Sequence, residues 1–149
     1  MVPAPRARAV AVALCVAVPL RAQPQPEARV EFARAAESRA ALGLGAAVRV
    51  GPYVRAGLSV AGDVWRSVST TAAAIRTEYV MRFTLDPLAE QRWGMSIGGG
   101  LGYRERPYLL VVAELEGPRR SGVRPAFQLA LGGGVRLAFV LRRAAMGRR

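Results

Sequence analysis

Histidine and lysine are both missing from this 149-residue chain, and cysteine occurs once. Without histidine there is no imidazole base for a serine nucleophile and no imidazole ligand for a metal. The single cysteine, Cys15, lies in an apolar run near the N-terminus. A mature chain that loses this run has neither a disulfide nor a thiolate metal site. Long apolar runs are missing too. The run over residues 9–20 has twelve residues, whereas a membrane-spanning helix needs about 20. Neither a cofactor nor a metal is expected, and the chain is not expected to be an enzyme. The carboxylate pair Glu114 and Glu116 suits arginine partners better than acid–base work. The stretch GGGLG over residues 98–102 is no phosphate loop, because strand-like alternation runs through it and no helix follows.

Arginine supplies all 22 basic residues against ten acidic ones, a formal charge of +12. The arginines recur singly along the chain and double up only at Arg119-Arg120, Arg142-Arg143 and Arg148-Arg149. No aromatic-rich basic motif accompanies them, so nucleic acid is not an expected partner. Arg6 and Arg8 precede the apolar run, and Leu20-Arg21-Ala22 places a small residue after it. Residues 1–22 therefore read as a cleaved secretory signal peptide. Removing Arg6, Arg8 and Arg21 leaves 19 basic residues against ten acidic, a charge of +9.

Beyond a short Pro-rich lead, QPQPEA at residues 23–28, apolar and polar residues alternate almost throughout. A period of two marks strands with one apolar face. A weak first strand surrounds Val30 and Phe32. Further strands are predicted at about 40–50, 53–65, 77–85, 92–103, 108–116, 125–131 and 134–142. Turns are signalled by Gly51-Pro52, Asp86-Pro87, GPRRSG at 117–122 and Gly132-Gly133-Gly134. Across these last glycines the parity continues unbroken, so a single long bent strand is an alternative there. Residues 66–76 lack alternation and read as the longest loop.

Alternation alone leaves open whether the apolar face points inward, as in a soluble ligand-binding barrel, or outward at lipid. Three features favour outward. The polar face is crowded with small residues, among them Gly43, Gly45, Gly57, Gly98, Gly100 and Gly102. Such residues make room for arginines inside a narrow tube. The apolar face carries side chains too large to fit such a tube. Tyr79, Trp93 and Tyr103 sit on that face near predicted strand ends, where interfacial aromatic girdles form.

The pattern resembles the small, about eight-stranded outer-membrane β-barrels of Gram-negative bacteria, which implies an all-β fold: a closed antiparallel up-and-down transmembrane β-barrel. The expected organisation is a signal peptide at 1–22, a periplasmic lead at 23–28, a barrel over 29–143 and a basic tail at 144–149. Barrels of this family commonly end in an aromatic residue. Here the chain ends AAMGRR and Phe139 is the nearest aromatic. The lumen is expected to hold a charge network of Arg49, Arg55, Asp63, Glu78, Arg82, Glu114, Glu116 and Arg136, joined by Glu31, Arg92, Arg124 and Arg142. Buried charges are expected to be paired, so the network plugs the tube. Arg82 is expected to meet Glu78, Glu114 or Asp63. The function so predicted is a monomeric outer-membrane barrel with a structural or envelope-interaction role, contacting lipid and reaching any surface partner through the 66–76 loop. The alternatives are a soluble secreted barrel binding an apolar ligand, or a narrow anion-preferring pore.

Overall fold

The computed structural model describes residues 23–34, 38–66, 71–86 and 92–143. The expected signal peptide, with Cys15, and the basic tail at 144–149 lie outside the described residues. Eight strands follow in chain order: β1 (Gln25–Arg34), β2 (Ser38–Arg49), β3 (Val54–Arg66), β4 (Thr71–Thr84), β5 (Gly94–Tyr103), β6 (Pro107–Glu116), β7 (Val123–Leu131) and β8 (Val135–Arg143). Each pairs antiparallel with the next, and β8 returns to β1 to close the barrel. Closure runs from Glu27 opposite Arg142 to Arg34 opposite Val135. Among the described residues every strand thus has a neighbour on both sides, and there is no edge strand of the kind an open sheet exposes.

The turns form where backbone chemistry demands them. Gly132, Gly133 and Gly134 all have positive φ, at 137°, 65° and 123°. Side chains disfavour that conformation, whereas glycine adopts it readily. The three glycines therefore reverse the chain between β7 and β8, and the single-strand alternative does not apply. Ser121 and Gly122 turn the chain with φ of 48° and 78°, locked by Arg120 and Val123 exchanging two backbone hydrogen bonds of 2.9 Å.

Two boundaries differ from the sequence reading. β1 starts at Gln25, so most of the proline-rich lead is strand. Pro26 is tolerated because it sits one residue before the β1–β8 pairing begins at Glu27. β4 starts at Thr71, so residues 71–76 are strand and not loop. Ala72, Ala73 and Ala74 place alanine on both faces of the sheet, which erases the polarity contrast that reveals a strand.

The faces are inverted relative to a water-soluble domain. Val135, Leu137, Phe139 and Leu141 of β8 are exposed, while Arg136, Ala138, Val140 and Arg142 between them are buried. Every strand repeats this. Among the described residues, 29 large apolar side chains are exposed, Leu109 by 77% and Leu44 by 72%, whereas the larger buried aliphatics are Val80, Leu110, Val112 and Val140. The shortest strands have nine residues and the longest fourteen, so each reaches at least the lower end of the about 9–11 tilted residues that cross a bilayer.

The lumen-facing glycines do more than make room. A Cβ on Gly98 would lie 2.0 Å from the Met81 carbonyl oxygen, and one on Gly100 would lie 1.9 Å from that of Tyr79. These glycines leave room for the β4 backbone that lies across from them. A Cβ on Gly102 would fall 2.2 Å from the ring of Tyr108, its cross-strand neighbour. The tyrosine ring covers the glycine and seals the backbone it exposes.

Candidate functional site: the charged lumen

The lumen is built by register. Residues two apart on a strand share a face, so Glu27, Arg29 and Glu31 form one inward ladder, Arg76, Glu78 and Arg82 another, and Glu114 and Glu116 a third. Arg55, Asp63, Arg136 and Arg142 complete the set. All twelve are buried, six arginines against six carboxylates. Equal numbers matter because an uncompensated charge taken out of water is costly, whereas a paired and hydrogen-bonded one is tolerated.

Arg142 is the hub of the half of the lumen nearer the termini. Its Nε donates to Glu27 at 2.5 Å, its Nη1 to Glu116 at 3.0 Å and its Nη2 to Glu114 at 3.0 Å. Arg55 also donates to Glu116, and Arg124 reaches the same carboxylate at 2.9 Å. Arg82 lies 3.5 Å from both Glu27 and Glu114, and its Nη2 donates to Gln128 at 3.4 Å.

In the other half Arg76 reaches Glu31 at 2.5 Å, Glu78 at 3.1 Å and Asp63 at 3.2 Å. Arg136 pairs with Glu78, and the Tyr108 hydroxyl donates to the same carboxylate at 2.7 Å. Val80, Leu110, Val112 and Ala130 form an apolar layer between the two halves on the β4–β7 side. On the β1 side Arg29 joins them, pairing with Glu27 at 3.2 Å, Glu31 at 3.3 Å and Glu78 at 3.8 Å. In the half nearer the termini Arg82, Glu114 and Arg142 are among the largest fully buried side chains.

Of the eight charged residues named from sequence, Arg55, Asp63, Glu78, Arg82, Glu114, Glu116 and Arg136 lie in the lumen network. Arg49 does not. It has inward parity but ends β2, and stands exposed at the rim opposite Arg55. Arg92 precedes β5 and is exposed as well. The partners of Arg82 are Glu27, Glu114 and Gln128 rather than Glu78 or Asp63. Glu78 sits four residues up the same strand, in the other half of the lumen. Glu27, Arg29 and Arg76 escaped the sequence reading because the first two fell near the proline-rich lead and the third in the supposed loop. The parity of Glu27 and Arg29 with Glu31 is the signal that finds them.

Of the three aromatics, Trp93 and Tyr103 are exposed beside opposite ends of β5. Tyr79 falls near the middle of β4, since that strand starts at Thr71 and not at Thr77, and it is half-buried. The rim position is taken instead by Tyr53, whose ring stacks on Phe83 at 5.6 Å.

Eight antiparallel strands, full closure, charged lumen and apolar outer wall define the class: this is the fold of the small bacterial outer-membrane β-barrels. No protein-family model and no curated protein matches the chain. Among solved structures it is similar to the N-terminal β-barrel domain of OprF from Pseudomonas aeruginosa, with a TM-score of 0.60 at 12% sequence identity. The match covers 82% of this chain and 99% of that one.

Proposed function

We propose that the chain is an integral outer-membrane barrel with a structural or envelope-interaction role, exported by residues 1–22 as a cleaved signal peptide and closed to solutes by its ion-pair network. The observation that carries this reading is the inverted polarity: an apolar belt around the whole outer wall and twelve buried charges within. Soluble monomers rarely expose contiguous apolar patches beyond a few hundred Å². In lipid the same wall is the stable arrangement, since every strand of the closed sheet has a neighbour on both sides. The soluble barrel with an apolar ligand inside loses its basis, because the inward faces carry the charge. The likeness to the OprF barrel domain supports the fold on which the reading rests. β1 begins and β8 ends at the end of the barrel that carries turns 50–53 and 117–122, and we assign that end to the periplasm. No catalytic role is proposed.

Fractionation of the native host tests the reading. The protein should stay with outer membranes through carbonate and urea washes and leave only with detergent. Release by carbonate or urea alone would overturn it.

A further inference from the structure

The end of the barrel opposite the termini carries a feature that the plugged lumen does not account for. A cavity of about 320 Å³ opens there, lined among others by Arg39, Asp63, Arg104, Arg106, Tyr108 and Arg136. A bulk water occupies about 30 Å³, so the space exceeds what a bare ion fills. Among the described residues its walls hold few acceptors. Asp63 is shared, 3.2 Å from Arg76 and 3.8 Å from Arg104, and the remaining carboxylate of the lining, Glu105, is exposed on the turn. Arg39 and Arg104 both lie over the ring of Trp65, 5.3 Å and 5.2 Å from its centroid. Two cations thus share one aromatic ring. Below them Arg136 uses Nη1 on Glu78, while its Nη2 and Nε have no hydrogen-bond partner although the side chain is only 6% exposed.

We propose that this mouth is a binding site for a phosphate group, free or carried as a monoester on a small sugar or a lipid head. Guanidinium forks match the oxygens of such an anion in pairs. With Arg39, Arg104, Arg106 and Arg136 in the lining and Asp63 and Glu105 as its carboxylates, a dianion balances more of this positive charge than a monocarboxylate does. The apolar layer and the Arg76–Glu78–Arg136 pairs beneath make the site a dead end rather than the entry of a channel.

The chain provides its own reporter. It has two tryptophans, and Trp93 lies at the opposite end of the barrel. In Trp93→Phe protein folded in detergent, Trp65 alone emits. Inorganic phosphate, glucose 1-phosphate and phosphatidic acid in mixed micelles are titrated at constant ionic strength set with sodium chloride, with sodium acetate as comparison. A saturable change in Trp65 emission with phosphate or its monoesters is expected, none with acetate. Arg104→Gln should weaken binding at least tenfold, and Arg119→Gln, on a turn at the other end, should leave it unchanged. Phosphorus-31 line broadening by Arg104→Gln protein gives a second readout, since that variant also alters the tryptophan's surroundings. Saturation by the soluble phosphates identifies a free-phosphate site, and saturation by phosphatidic acid alone a lipid-head site. A linear response to every anion, acetate binding as tightly as phosphate, or full affinity in Arg104→Gln would overturn the proposal. The measurement needs only the folded barrel in detergent, so it stands or falls separately from the membrane assignment.

Discussion

Arg142→Met removes the guanidinium that holds three carboxylates at once while keeping much of its volume. Glu27 then retains Arg29 at 3.2 Å and Arg82 at 3.5 Å, and Glu116 retains Arg55 and Arg124. Glu114 fares worst, left with Arg82 at 3.5 Å and Arg55 at 3.9 Å. The buried set changes from balanced to one negative charge in excess. Removing one partner of a buried pair costs about 3–5 kcal/mol, and the surviving partners of Glu27 and Glu116 favour the lower end. With urea slopes of about 1–3 kcal/mol per molar, 3 kcal/mol lowers the unfolding midpoint by roughly 1–3 M. The assay is urea unfolding in detergent micelles, followed by tryptophan emission and by the mobility difference between heated and unheated protein on gels. Arg119→Ala, on an exposed turn, should stay within about 0.5 kcal/mol of the parent. Arg142→Met combined with Glu114→Gln restores equal numbers of buried charges and should recover much of the loss. A single variant as stable as the parent would refute the pairing argument. So would a double variant no better than the single one, since charge balance would then not be what the lumen requires.

Gly102→Ala should destabilise the barrel by pressing a methyl group into the Tyr108 ring, and Tyr108→Ala in the same chain should relieve part of that clash; denaturant midpoints of the two variants test this. Purified monomer in a planar bilayer should show no steady conductance, because the buried charge clusters of the two halves and the apolar layer between them fill the tube; stable ion-selective channels would favour the narrow-pore alternative. On intact cells a membrane-impermeant maleimide should label Glu105→Cys and spare Arg119→Cys, and the reverse pattern would invert the assigned orientation.

The period of two in the sequence determined that the chain is all-strand, and the placement of small residues on one face and large apolar ones on the other determined which face is inward. Both are local properties: adjacent side chains on a strand point to opposite sides, and bulky groups cannot enter an eight-stranded tube. Local contrast also sets the limit. Ala72 to Ala74 look alike on both faces, and proline at positions 24 and 26 reads as a breaker, so the ends of β4 and β1 stayed hidden along with Arg76, Glu27 and Arg29. Tertiary structure alone decided which charges pair between strands. Arg142 and Glu27 are 115 residues apart in the chain and meet because β8 closes on β1. Arg82 meets Glu27 rather than Glu78 because closure and stagger, which no single strand encodes, set the height of each charge in the lumen. At the basic mouth Arg39 meets Trp65 as its direct partner in the β2–β3 pairing, whereas Arg104, from the turn after β5, reaches the same ring from two strands away only in the folded sheet.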